Sequence, residues 1–146
     1  MATDTFFPDV VSDRGNTCSQ IFVGLKSHRW DVYPMKLESM NDTALQDYTR
    51  EVGCPNIIKS DNAQSEKSAR WTSHLRKMCI GSEFTEPHQH HQNEAEPNIG
   101  ALGRMVKNVM EATKAPLSKH DWCQKYCCDI HNLTAHPKLN WMTPYT

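Results

Sequence analysis

Residues 56–62 read NIIKSDN and place a short apolar run directly before a polar cluster. The two isoleucines are β-branched, and an apolar run of this kind next to turn residues is typical of a buried strand. Gly53 and Pro55 stand just before the run, where they end a preceding helix. Asp61 therefore follows the end of a strand, and mixed α/β sheets present the side chains of their sites at strand ends.

The segments on either side of this strand predict a mixed α/β domain in the order β-β-β-α-β-α-β-α-α. The predicted strands cover residues 3–7, 18–24, 30–35, 56–58 and 82–86. The first predicted helix has its N-cap at Asn41 or Asp42 and runs to about Val52; the others cover residues 68–78, 94–112 and 119–133. In the long third helix, the apolar residues recur at spacings that predict a buried stripe: Ile99, Leu102, Val106, Val109 and Met110.

Length, charge and cysteine content narrow the class of protein. A chain of 146 residues buries enough surface for one core, and we expect a single domain. A net charge of −1 excludes an indiscriminate polybasic tail. No apolar run approaches the roughly 20 residues of a membrane span, and the N-terminus lacks a secretory pattern. The six cysteines include no CxxC pair, and we expect them to be reduced in an intracellular protein that has no membrane partner.

Three carboxylates stand at positions in the predicted elements that indicate a functional role. Asp4 lies inside the first predicted strand, Asp61 follows the fourth, and Glu96 opens the long helix. Hard oxygen ligands from three elements suit Mg²⁺ or Mn²⁺, and a pair of such ions catalyses phosphoryl displacement. Taken singly, each acid also has a structural interpretation, since Asp4 suits a turn, Asp61 an N-cap, and Glu96 the positive end of a helix dipole.

Three segments of the chain resemble the catalytic core of retrotransposon and retroviral integrases, most closely that of Copia-type elements. They are SDNAQSEKSARW at residues 60–71, EPHQHHQNEAE at residues 86–96 and WMTPY at residues 141–145. The family has an acid on its first strand, an aspartate after its fourth strand and a glutamate opening a long helix. Asp61 and Glu96 are 35 positions apart, a spacing close to that of the family, and the resemblance extends from Thr3 to Tyr145.

The resemblance implies a ribonuclease H-like fold over residues 1–146: a five-stranded mixed sheet flanked by helices on both faces. It implies that Asp4, Asp61 and Glu96 are the catalytic metal ligands, holding two Mg²⁺ or Mn²⁺ ions in the active complex. It further implies that Asn62 orients Asp61 and that Gln92 and Asn93 belong to a loop contacting DNA ends. The chain would then be a fragment of a longer polyprotein.

The reaction implied by the resemblance is phosphodiester transesterification. Water first trims the end of the element's DNA, and the freed 3′-hydroxyl then attacks target DNA. The partners would be element ends, target DNA and further copies of the chain, with no small-molecule substrate, and the protein would be nuclear at the time of integration.

The sequence departs from the family along the long helix. Pro97 stands where a basic residue is common, and Gly100 and Gly103 stand where relatives place polar or basic groups. On this side of the helix Lys107 is then the only expected cation. A second basic cluster, Lys67, Arg70, Arg76 and Lys77, either follows a DNA backbone or forms an ordinary exposed helix face.

Several alternatives stay open. A ribonuclease H-like nuclease would use water as its only nucleophile, and a degenerate core would serve only in nucleic-acid binding or assembly. His88, His90 and His91 crowd one loop, for which an ordinary polar loop is favoured over zinc because no cysteine pair stands nearby. A second group, His120, Cys123, Cys127 and His131, spreads over roughly 16 Å of one helix, which favours a semi-polar buried stripe over a metal site.

Overall fold

The computed structural model describes residues 1–60, 68–84 and 95–145. Its strands are β1 (Ala2–Phe6), β2 (Cys18–Val23), β3 (Trp30–Met35), β4 (Ile57–Ser60) and β5 (Gly81–Phe84). Its α-helices are α1 (Asn41–Glu51), α2 (Ala69–Lys77), α3 (Ala95–Thr113) and α4 (His120–Leu133). The predicted element order is confirmed, with most ends shifted by one or two residues.

The five strands form one mixed sheet in the order β3-β2-β1-β4-β5. The hairpin strands β1, β2 and β3 pair antiparallel, whereas β1 pairs with β4, and β4 with β5, in parallel. Because parallel neighbours need a crossover connection, helices come between those strands in the chain. The register sets Asp4 opposite Ile21 and Ala2 opposite Lys59.

Helices cover both faces of the sheet, as predicted. On one face α3 and α4 pack on side chains that alternate along the strands, among them Ala2, Ile21, Val23, Trp30 and Val32. On the other face α1 and α2 pack on Cys18, Phe22, Tyr33 and Ile58. The alternation follows from the two-residue period of a strand. The resulting α/β/α layers match the ribonuclease H-like arrangement that the resemblance implies.

The start of α1 differs from the prediction. Met40, not Asn41 or Asp42, is the N-cap residue, and it makes no side-chain capping bond. A 3₁₀ turn at Glu38–Met40 runs directly into the helix, so that both predicted capping residues lie inside α1 and are buried. The N-cap of α2 is Ser68, whose hydroxyl accepts a hydrogen bond from the Trp71 N–H at 3.2 Å.

The inner side of α4 holds the sheet through buried polar side chains. Ser19 donates to Gln124 at 2.7 Å, and Asn16 donates to Asp121 at 2.9 Å. His120 and Cys127 are buried, while Cys123 and His131 are half-buried, which confirms the semi-polar stripe. All six cysteines are free thiols, as expected.

Asn132 makes two buried hydrogen bonds to the backbone of β3. Its amide accepts from the Trp30 N–H at 2.9 Å and donates to the Trp30 carbonyl at 2.7 Å. Because β3 is an edge strand, this side chain takes the place of a missing strand neighbour. This buried pair of bonds therefore satisfies the backbone N–H and C=O groups of Trp30 at the sheet edge.

The Asn132→Ala substitution should lower the free energy of unfolding by about 2–4 kcal/mol, because two buried backbone groups lose their partners. Guanidinium denaturation followed by circular dichroism measures the difference. Asn108→Ala, at an exposed position of α3, is the matched control and should change stability by less than about 0.5 kcal/mol. Equal effects of the two substitutions would show that the Asn132 bonds are unimportant.

A histidine cluster lies where α4 ends. The His131 ring stacks on Trp30 with centroids 3.6 Å apart, and its Nε2 lies 2.8 Å from the His28 carbonyl, to which it donates. The His28 ring in turn stacks on His136. The pKa of His131 is lowered, mainly because the ring is buried. The hydrogen bond to the His28 carbonyl raises this pKa, whereas the nearby rings of His136 and His28 lower it further.

This cluster predicts that the protein loses stability in mild acid. Because the folded state holds the His131 pKa below the unfolded value of about 6.5, the unfolded chain takes up protons first as the pH falls. The lowered pKa of His28, also caused mainly by burial, acts in the same direction. Thermal melts between pH 7.5 and 5.5 should show a falling unfolding temperature, with a smaller fall for His131→Phe. A fall of the same size in both proteins would exclude His131 as the cause.

Among the described helices, none is long and apolar enough to cross a membrane.

Candidate active site

Asp4 lies in the middle of β1 and is half-buried. Its side chain shares a face of the sheet with Ala2 and Phe6, because strand side chains alternate. Both of those neighbours contact the core under α3 and α4. The Asp4 Oδ1 accepts a hydrogen bond from the Thr5 N–H at 2.8 Å, which fixes the orientation of the carboxylate. The acid therefore belongs to the side of the sheet that α3 covers.

The direction of α3 follows from two contacts. Near its start, Asn98 accepts a hydrogen bond from the Trp30 indole N–H at 3.2 Å, and Trp30 is aligned through β2 with the Ala2 end of β1. Farther along, a Cβ on Gly103 would lie 3.9 Å from the Phe6 ring. The helix therefore runs in the same direction as β1, with its first turn at the end where β1 begins.

Glu96 lies in that first turn of α3 and is exposed. It precedes Gly103 by seven residues, which is close to two full turns, so the two positions share one side of the helix. That side is the one that meets Phe6 of β1. Position 96 thus shares the side of α3 on which Gly103 meets Phe6 of β1, the strand of Asp4.

Arg104 is a cation that sequence reasoning missed. Its Nη1 lies 3.6 Å from the point where a Gly100 Cβ would be, so its guanidinium reaches back along α3 towards the turn of Glu96. The expectation that Lys107 is the only cation on this side is therefore wrong. Gly100, one turn before Arg104, has no side chain and therefore leaves space for the guanidinium. This glycine is the feature of the sequence that could have indicated the arrangement.

Two further basic residues that are predicted to contact DNA, Lys107 and Arg70, lie in different surroundings. Lys107 is exposed and has its Nζ 3.9 Å from a carboxylate oxygen of Glu111. Arg70 is exposed and pairs at 3.1 Å with the buried Asp42 of α1, on the face of the sheet opposite Asp4. DNA contact by either residue stays a prediction.

Five of the predicted site residues lie outside the described residues: Asp61, Asn62, Lys67, Gln92 and Asn93. The histidines of the predicted polar loop, His88, His90 and His91, lie there as well. Within residues 1–60, 68–84 and 95–145, no group of three or more His, Cys, Asp or Glu side chains is arranged to hold a metal ion. The described part of the chain thus contains two of the three predicted acids, Asp4 and Glu96.

Two solved structures share this fold. The simian T-cell lymphotropic virus intasome in complex with PP2A regulatory subunit B56 gamma matches with a TM-score of 0.76 and 15% identity, over 90% of this chain and 47% of that chain. The HTLV-2 integrase catalytic core domain in complex with magnesium (trimeric form) matches with a TM-score of 0.75 and 16% identity, over 99% of this chain and 91% of that one. This chain therefore spans about half the length of the matched intasome chain.

No family model matches the sequence, and no curated protein matches it. At these identities the two structures show the fold alone, which confirms the predicted ribonuclease H-like fold. The particular likeness to Copia-type elements stays a prediction.

Proposed function

We propose that this chain is the catalytic core of a DNA integrase, which trims and joins DNA by divalent-metal-dependent phosphodiester transesterification. Asp4, Asp61 and Glu96 are the proposed catalytic metal ligands, and two Mg²⁺ or Mn²⁺ ions are the proposed cofactors. The proposed partners are element DNA, target DNA and further copies of the chain, which act together in the nucleus. The shared fold with an HTLV-2 integrase core that is in complex with magnesium supports the reaction class.

The observation that carries this proposal is the position of Asp4 on β1, the strand that pairs in parallel with β4, which leads to residue 61. Asp4 lies two residues beyond Ala2, which is paired in parallel with Lys59 of β4. Asp61 lies the same two residues beyond Lys59 in the sequence. Position 96 shares the side of α3 on which Gly103 meets Phe6 of β1. These three relations support a single site at the junction of β1, β4 and α3.

The described residues fit a divalent cation in their donor chemistry. Carboxylate oxygens are the ligands that Mg²⁺ and Mn²⁺ prefer. Asp4 is held on a strand and oriented by the Thr5 N–H, whereas Glu96 stands exposed at a helix start. When bound, the cations lower the pKa of the attacking hydroxyl and neutralise charge at the phosphate.

The side chains of this chain have separate tasks in the proposed reaction. Asp4, Asp61 and Glu96 bind the cations, and Asn62 orients Asp61. Gln92 and Asn93 contact the DNA ends, while Lys67, Arg70, Arg104 and Lys107 bind backbone phosphates. The 3′-hydroxyl of the element end attacks the target phosphate directly, and the displaced 3′-oxygen leaves without a covalent protein intermediate. Positioning and charge therefore supply the catalysis.

An Arg104→Ala variant should bind DNA about three- to tenfold more weakly at low salt, because one phosphate contact is lost. The slope of binding against salt should fall by about one unit. Fluorescence anisotropy of a labelled duplex measures both quantities. Lys36→Ala, which removes an exposed cation next to the end of β3, is the control and should bind like the wild type. Unchanged binding by Arg104→Ala would remove this residue from the DNA surface.

The proposed function is tested with the full chain, Mg²⁺ and an end-labelled duplex that carries the ends of the element. Products longer than the substrate show strand transfer and support the proposal. Cleavage without joining would instead support a ribonuclease H-like nuclease. DNA binding with neither reaction, in a protein that binds Mg²⁺, would support a degenerate core that acts in binding or assembly.

A further inference from the structure

Two exposed cysteines lie side by side at one end of the sheet. Cys54 precedes β4, and Cys79 precedes β5, its parallel neighbour. The two chain segments are already joined there, because the Gly81 N–H donates to the Asn56 carbonyl at 2.9 Å. Cys54 stands two residues before Asn56, and Cys79 stands two residues before Gly81, so that the two cysteines flank this junction.

The Cys54 sulfur lies next to the residue that precedes Cys79. It lies 3.4 Å from the Met78 carbonyl oxygen, to which its S–H donates. That oxygen belongs to the peptide unit that ends at the Cα of Cys79, so the Cys54 Sγ is within about 6 Å of this Cα. The exposed Cys79 side chain is attached to that Cα, so that the two sulfurs lie in the same small region of the surface.

The remaining four thiols are poorly placed for exchange chemistry. Cys18, Cys127 and Cys128 are buried, and Cys123 is half-buried. Burial raises the pKa of each of these thiols, that of Cys127 to about 11. Because the thiolate is the reactive form, these thiols are weak nucleophiles at neutral pH. Cys54 and Cys79 differ from all four in being exposed.

We propose that Cys54 and Cys79 form a thiol–disulfide exchange site, whose substrate is a small disulfide of the glutathione class. One protein thiolate attacks a sulfur of the small disulfide, which breaks that S–S bond and releases one small thiolate that takes up a proton. The second protein thiol loses its proton to solvent and attacks the sulfur of the mixed disulfide on the protein side, releasing the second small thiol. The protein dithiol loses two electrons, and the small disulfide gains them.

The resulting bond would fasten the outermost strand of the sheet. All four residues of β5 are exposed, and among the described strands its one neighbour is β4. A bond between residues 54 and 79 would also close the loop that contains β4 and α2. Constraint of a loop of this length should raise the unfolding temperature by about 5–10 °C.

The test exposes the full chain to glutathione disulfide, with free thiols counted in denaturant and disulfides located by peptide mapping. The expected result is a fall from six free thiols to four, with the fragment containing Cys54 joined to that containing Cys79. Because the second thiol acts within the same chain, the internal disulfide should exceed the mixed disulfide when glutathione is below the effective concentration of that thiol.

Single variants separate this chemistry from general oxidation. Cys54→Ser and Cys79→Ser should each stop at the mixed disulfide with glutathione, while Cys123→Ser should form the internal bond like the wild type. Retention of all six thiols in the wild type would overturn the proposal. Disulfide-linked dimers as the main product, or an internal bond that persists in Cys54→Ser, would overturn it as well.

Discussion

An Asp4→Asn variant should lose strand-transfer activity by a factor of at least about 10³, which corresponds to about 4 kcal/mol in the barrier. The substitution keeps the shape of the side chain but removes the charge that holds a divalent cation. Asn can still accept the hydrogen bond from the Thr5 N–H, so that β1 should keep its pairing with β2 and β4. Rates of joining of a labelled duplex in Mg²⁺ measure the loss.

Two further sets of variants make this prediction specific. Asp61→Asn and Glu96→Gln should lose activity to a similar extent, because the three acids act as one unit and their losses do not add. Asp9→Asn removes an exposed acid three residues past the end of β1 and should keep at least about half of the activity, since surface substitutions rarely disturb a fold. Wild-type activity in Asp4→Asn, with the same metal requirement, would reject the metal-ligand assignment.

The largest expected loss of stability is that of Trp71→Ala. Trp71 is 1% exposed and is the largest of the fully buried side chains between α2 and the sheet. Its removal should cost about 3–5 kcal/mol through lost burial and the cavity left behind. Since a domain of this size has only about 5–15 kcal/mol of stability in total, the variant should be partly or wholly unfolded near 37 °C. Denaturant titration followed by far-ultraviolet circular dichroism measures the change.

Trp141→Ala is the matched control for this substitution. The Trp141 side chain is 71% exposed, so its removal should change the free energy of unfolding by less than about 1 kcal/mol. A loss of the same size in both variants would mean that the packing of α2 against the sheet contributes little to stability.

The elements of this fold were largely predictable because their periodicities are clear. The stripe of α3 was read correctly: Leu102, Val106 and Met110 are buried, and Ile99 and Val109 pack at its margin. The strand at residues 56–58 was predicted too early and too short, since β4 extends to Ser60. Lys59 and Ser60 are polar, and their place in the sheet depends on pairing with β1 and β5, which local composition does not reveal.

The errors have physical causes that lie outside local sequence. Asn41 and Asp42 are strong capping residues, but tertiary packing buries both inside α1, and the chain enters the helix through a 3₁₀ turn instead. The helix predicted over residues 68–78 ends at Lys77, and Met78 is its exposed C-cap residue.

The candidate site was predictable in part. Asp4 and Glu96 were identified from their contexts, and the structure places both on the α3 side of β1. Sequence analysis does not identify Arg104, because a helical projection places each residue only by the direction of its Cα–Cβ bond. The long side chain of Arg104 instead reaches a full turn back along the helix. The roles of Asp4, Asp61 and Glu96 stay predictions.

A crystal of the protein soaked with Mn²⁺ and recorded at the manganese absorption edge gives the most direct answer about the acidic residues. The anomalous map should contain a peak within about 2.0–2.4 Å of carboxylate oxygens of Asp4 and Asp61, with Glu96 at the same site. Manganese bound elsewhere on the chain, or carboxylates of residues 4 and 61 too far apart to share one ion, would contradict the proposed metal centre.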